Sequence, residues 1–316
     1  MSNKERTCHI TSIGGQAVIE GVMMRGPKDI ATAVRKSDGT IVIDKKPVSS
    51  FVTKYKLNKI PLVRGVFNFV DSLITGMKCL MFSADQMDLE DGEDYKPSKF
   101  ESWLENKLGD KIKDIAIYVS VFIAICFSVG LFMLLPNALA SVAGIFTKNK
   151  IILNFCEGVI RMLIFLVYLI LITSLKDIQR VFEYHGAEHK TIATYESGDE
   201  LTVENARTHS RLHPRCGTSF LLVVMVVSII TFSLLRWGAL WQNLITRIAL
   251  MPVVAGVSYE KIKLAGKSKL TVVKFLTKPG LWLQKVTTRE PDDSQLEVAI
   301  ASLKAVLTDN KEDDKW

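Results

Sequence analysis

The sequence predicts an α-helical polytopic membrane protein with about four spanning helices. A small β-containing amino-terminal cytosolic segment and cytosolic amphipathic helices accompany them. Three observations predict this. Of 316 residues, 48% are apolar. The mean hydropathy is positive. Apolar runs of about 20 residues, the length that crosses a bilayer, alternate with charged stretches. The first residues, Met1 to Thr11, are polar and lack the apolar core of a secretory signal. The five cysteines, at 8, 79, 126, 156 and 216, are scattered and never spaced C-x-x-C. This argues against a disulfide framework and for a reduced cytosolic setting. The net charge of +7 fits basic cytosolic loops and does not call for a specific nucleic-acid partner.

Residues 1–60 form the β-containing segment. Ile30–Arg35 and Thr40–Ile43 flank Ser37-Asp38-Gly39, and Asp-Gly between β-rich runs signals a hairpin. The preceding stretch, Gly14 to Pro27, is rich in glycine but is not a phosphate-binding loop of the G-x-x-x-x-G-K-[ST] kind. Residues 61–114 follow. Val63, Val66, Val70, Leu73, Ile74, Met77 and Leu80 recur at helical spacing over 61–84. Arg64, Asn68, Asp71 and Lys78 favour an interfacial amphipathic helix over a span. The alternative is a helix packed against other cytosolic segments. An acidic linker over 85–99 lacks calcium-loop spacing, and a short helix over 100–113 leads toward the bilayer.

Residues 115–257 carry the four expected spans. These are Ile115–Leu135, closed by Pro136; Ile151–Leu175, with Glu157 and Arg161; Gly217–Leu235; and Leu240–Val257, with Arg247 and Pro252. The last is the weakest, interrupted by a charge and a proline. Trp237 and Trp241 stand where an aromatic belt belongs. Lys and Arg are dense before the first span, in the 176–216 loop and after the fourth span, and sparse in 136–150 and 236–243. Charge bias therefore places both termini and the loop in the cytosol, in a plasma membrane. The tail, 258–316, ends in a capped amphipathic helix after Pro291, with Leu296, Ala299, Ile300, Leu303 and Leu307 on one face.

The chemistry concentrates in one loop. Four of the five histidines lie within 176–216. His185, Glu188 and His189 form H-x-x-E-H, and His209-x-x-x-His213-Pro-Arg-Cys216 follows. On a helix, positions i and i+4 share a face, so His185 and His189 can bind one metal. Glu188 is placed to serve as general base on a metal-bound water or to orient a ligand. A third ligand comes from His213 or Cys216, then His209 or Glu183; imidazole and thiolate both suit zinc. If the second span continues as a helix, His185 sits ~15 Å beyond the bilayer edge. The alternative is a set of ordinary polar residues, with Glu188 pairing Lys190 or Arg207. Glu20 and Arg25 are candidates to reach this loop from the amino-terminal segment. Glu157 and Arg161 suit an ion pair one turn apart, and Arg247 a buried partner such as Glu157.

Five blocks together carry a resemblance: Gly14–Arg25; Phe182-Glu-Tyr-His-Gly-Ala-Glu-His-Lys190; His213-Pro-Arg-Cys-Gly-Thr-Ser-Phe220; Arg247–Gly256 with Tyr259-Glu260; and Lys278–Asp293. They resemble the DUF1385 family, the YqhQ-like bacterial membrane proteins. The resemblance covers nearly the whole chain. It implies a multi-pass bacterial membrane protein, and the family's label of a predicted metal-dependent enzyme rests on the same His and Glu pattern. Three functions are weighed. One is a zinc-dependent hydrolase at the cytosolic membrane face, acting on a membrane peptide or lipid head group. The second is a non-enzymatic scaffold docking a translocon, a ribosome or another membrane protein. The third is a transporter, for which a homo-oligomer would supply further spans.

Overall fold

The computed structural model describes residues 9–48, 63–87, 111–235, 240–267 and 271–315. The acidic linker beyond Met87 and all but the last three positions of the expected helix over 100–113 lie outside them. The chain divides into two compact units. The first comprises 1–87, 168–227 and 251–316; the second comprises 88–167 and 228–250.

The first unit is built on an antiparallel sheet. Its strands are β1 (Gly14–Val18), β2 (Gly21–Arg25), β3 (Asp29–Arg35) and β4 (Ile41–Pro47), in the order β1-β2-β3-β4. The expected hairpin is β3–β4, with Arg35 opposite Ile41 and Gly39 at φ 84° in its turn. Side chains alternate between the two faces of a strand, and β2 is buried on both faces. Val22, Met24, Ala31 and Ala33 join Tyr184, Ala187, Ile192, Leu296, Ala299 and Leu303 in one core. The last six belong to helices α5 (Lys176–Ser197) and α10 (Asp293–Val306). Val18, Met23 and Val34 face the other way and pack with Cys79 of helix α1 (Val63–Gln86).

Helix α1 thus has two distinct faces. Arg64 pairs with Glu260 of helix α8 (Leu240–Lys267), and Asn68 bonds the Tyr259 hydroxyl at 3.1 Å. Phe69, Leu73, Ile74, Met77 and Met81 remain exposed. Arg25 pairs with Asp71 of α1 at 2.8 Å instead of reaching the histidines. Glu20 does reach α5, where it binds Arg180 and Tyr184.

Helix α10 opens with a reciprocal capping box between Asp292 and Gln295, which satisfies two otherwise orphaned N–H groups. Helix α5 starts afresh after Thr173–Leu175, with Leu175 extended at ψ 127°, and ends at Gly198 in the left-handed region; the short helix α6 (Val203–Thr208) follows. The straight continuation of the second span is therefore corrected: His185 stands on a separate helix.

The second unit holds helix α2 (Lys111–Val129), a π-helical turn (Gly130–Leu134), helix α3 (Leu135–Ala143) and most of helix α4 (Lys150–Ile172). Pro136 does not close the first apolar run. It sits in the first turn of α3, and the helical path continues to Ala143. Proline lacks the N–H that would bond the carbonyl four residues back. That carbonyl, of Phe132, instead accepts a bond from Arg161 Nε at 2.8 Å. Arg161 also pairs with Glu157, which Arg247 grips with both terminal nitrogens. Asn137 Nδ2 donates to Glu157 at 3.1 Å. Buried charges persist only when paired in this way.

Among the described residues, three helices are long and apolar enough to cross a membrane: Arg64–Gln86, Val119–Ala143 and Lys150–Ile172. Two match the first two expected spans. The remaining one is α1, whose few charges leave an apolar window intact. The third expected span is the 17-residue apolar helix α7 (Gly217–Ser233). The fourth lies within α8, which extends to Lys267 around Pro252.

Candidate metal centre

Helix α5 carries H-x-x-E-H on one turn. His185 and His189 therefore lie side by side, with ring centroids 4.5 Å apart. Cys216 immediately precedes α7, and its sulfur lies 3.1 Å from His185 Nε2. The Thr218 N–H and hydroxyl also approach this sulfur, at 3.5 and 3.3 Å. Ligand atoms of His185, His189 and Cys216 all fall within 4.8 Å of one another.

The other nitrogen of each ring is tied down. His185 Nδ1 lies 2.8 Å from the Thr287 carbonyl, and His189 Nδ1 lies 2.6 Å from the Arg211 carbonyl. A carbonyl only accepts, so Nδ1 carries a proton in both rings, and in the neutral form of each ring Nε2 is the nitrogen with the lone pair. Burial holds the His189 imidazolium below its ordinary pKa, against the opposing pull of Cys216. A neutral ring is the form that binds metal.

Glu188 is buried on the same turn. Burial raises its carboxyl pKa, against the opposing pull of His185, His213 and the nearby Gly15 backbone. A Cβ at residue 15 would lie 2.9 Å from Glu188 Cγ, so glycine is what lets β1 come so close. Gly186 has a similar role. A methyl group there would collide with the Arg289 carbonyl, so this motif position admits the 287–291 segment that anchors His185.

The remaining candidates separate. The His213 ring lies tilted 5.6 Å from that of His189, but its Nε2 faces Glu196 at 3.4 Å and Arg215 at 3.2 Å. It lies in the wall of the site, outside the group of ligand atoms. Its backbone is held by Gln284, which accepts from His213 N and donates to His213 O at 2.7 Å. His209 turns to Asp199 at 3.1 Å, and Glu183 accepts from Gln295 at 2.9 Å. Lys190 and Arg207 pair with Glu290 and Asp293 instead of with Glu188. Burial pushes the Glu196 carboxyl up, but His213, Arg215 and the Thr11 N–H together hold it below the ordinary range.

A cavity of about 400 Å³ opens on this group. Its walls include His185, Glu188, His189, His213 and Cys216, with Ser12–Ala17 of the β1 segment opposite. Sequence reasoning missed Gln284, Gly15 and the two anchoring carbonyls. Gln284 follows the apolar run Leu281-Trp282-Leu283 but stands beside Lys285, so its polarity alone did not single it out.

A family described as "Protein of unknown function (DUF1385)" matches residues 60–309. The chain belongs to the DUF1385 family. A relative from Bacillus subtilis (strain 168), "Uncharacterized protein YqhQ", is 37% identical over 300 residues, covering 93% of this chain and 92% of the relative. No solved structure matches. The family match spans both halves of the candidate centre and all the helices that carry it.

Proposed function

We propose that this chain is a multi-pass protein of the bacterial plasma membrane, with both termini and the 176–216 segment cytosolic. We propose further that His185, His189 and Cys216 hold a zinc ion in a hydrolytic centre. The observation that carries the reading is the pair of Nδ1–carbonyl bonds. Metal-binding histidines characteristically donate their second N–H to such a group. Here both rings do so, and both free Nε2 atoms share the neighbourhood of one thiol. Three protein ligands are the number found in catalytic zinc sites, whereas structural sites use four.

Zinc bound there would lower the pKa of a coordinated water toward neutrality. Glu188, neighbouring both histidines and lining the same cavity, is the group to accept that water's proton. Gly15, whose missing side chain leaves room for the carboxylate, lines the same cavity. The substrate class in this reading is a peptide or lipid head group presented at the membrane face.

Zinc content of the purified protein tests the proposal. The wild type should retain about one equivalent, and the His185→Ala, His189→Ala double variant should lose it. Cobalt substitution adds a thiolate charge-transfer band, expected to vanish in Cys216→Ser. Equal, negligible metal in wild type and variant would end the reading.

One observation favours a second reading. The exposed apolar face of α1, from Phe69 to Met81, is a docking surface for another membrane protein, a translocon or a ribosome-bound partner. Full biological activity of Glu188→Gln would favour this scaffold role over hydrolysis.

A further inference from the structure

A second cavity, of about 430 Å³, lies on the far side of the backbone that anchors the histidines. The Arg211 carbonyl faces His189, while the Arg211 side chain lines this other cavity together with Lys285 and Arg289. The three cations are unequally compensated. Among the described residues, Arg289 meets neutral acceptors only, the Gln179 side chain at 2.9 Å and the Thr173 carbonyl at 3.4 Å. Lys285 is exposed and has no partner among the described residues. Arg211 binds the Thr288 carbonyl and stands 3.8 Å from Glu290. Glu290 is already neutralised by Lys190 at 2.5 Å. Glu183 is the remaining carboxylate in the wall. The cavity therefore carries surplus positive charge on forked and flexible donors.

Its setting narrows the ligand. Thr173, in the cavity wall, directly follows the apolar helix Lys150–Ile172. Trp282, 64% exposed, precedes Lys285 and Arg289 at helical spacings of three and seven on helix α9 (Thr271–Thr287) and just beyond its end. An exposed indole beside basic side chains at the end of an apolar helix is the arrangement of a membrane interface. Guanidinium groups match phosphate oxygens in geometry and charge.

We propose that this cavity binds a phosphate group, with Arg211, Lys285 and Arg289 as its donors. The two sources of that chemistry are an anionic phospholipid head group and free phosphate. The site is independent of the zinc reading, because none of these three side chains belongs to the proposed ligand set.

The test uses the full-length protein in nonionic detergent. Isothermal titration is run with dihexanoyl phosphatidylglycerol and with inorganic phosphate. Saturable binding is expected, weakened at least tenfold in Lys285→Gln combined with Arg289→Gln. Lys304→Gln, an exposed change on α10, should bind as the wild type does. Binding of the lipid without competition from phosphate assigns the head group; binding of inorganic phosphate, with displacement of the lipid, assigns the free anion. Lys285→Glu removes no contact, so it guards against misfolding of the double variant and should weaken binding in the same direction. Zinc measured on the same samples should not change, which separates loss of this site from loss of the metal centre. Equal binding by wild type, double variant and Lys285→Glu would overturn the proposal, as would the absence of saturable binding to either probe.

Discussion

Replacing Gly15 with alanine tests how β1 closes on Glu188. The new Cβ would stand 2.7 Å from the Met23 carbonyl oxygen and 2.9 Å from Glu188 Cγ, where ordinary contact begins at 3.4 Å. Relieving both requires displacements of about 0.5–0.7 Å, one of them in the backbone of β2. Overpacking of this kind costs roughly 1–3 kcal/mol. In a unit of about 200 residues, each kcal/mol lowers the melting temperature by roughly 2–4 °C. The strain falls partly on Glu188, so removing that side chain should recover part of it. A double-mutant cycle of Gly15→Ala and Glu188→Ala, read by thermal unfolding in detergent, should show a coupling of about 1 kcal/mol. Zinc content of Gly15→Ala should match the wild type, because residue 15 touches none of the three proposed ligands. Strict additivity of the two changes, or a melting temperature unmoved by Gly15→Ala, would refute the close packing of β1 on the carboxylate.

Further outcomes follow from other contacts. Glu157→Gln leaves Arg161 and Arg247 buried without their shared counter-charge and should cost about 3–5 kcal/mol; Arg247→Met should cost less, because Arg161 still pairs with Glu157. Thermal unfolding of the two variants checks the order. Glu196 is held below the ordinary carboxylate range, so its contribution is present at neutral pH and is lost as pH falls from about 4.3 through its depressed value. Glu196→Gln should therefore be less stable than wild type at pH 7, with the gap closing on acidification. Asp292→Ala removes the cap of α10 and should cost about 0.5–2 kcal/mol, measurable by the same unfolding assay.

Much of this was written locally. Asp38-Gly39 between two β-rich runs specifies a hairpin because the turn needs a positive φ, and β3–β4 forms around it. The i, i+4 spacing of His185 and His189 places two imidazoles on one face of any helix, whatever packs around it. The apolar runs are legible because a bilayer selects length and composition. Pro136 departs from the rule that proline ends a helix, because that rule holds only where no other group satisfies the freed carbonyl. Arg161, 29 positions away in the chain, does so.

The sequence by itself determined the elements, the apolar helices and the H-x-x-E-H turn, since each depends on neighbours within a few residues. Only the tertiary structure decided which third group joins the histidines. His213 and Cys216 lie three residues apart and were equal candidates. Gln284 and Glu196 hold His213 in the wall, while the start of α7 presents the Cys216 sulfur to the rings. Tertiary packing also decided which ring nitrogen is free, because the carbonyls of Thr287 and Arg211 that settle it belong to residues whose side chains say nothing about where their backbones point.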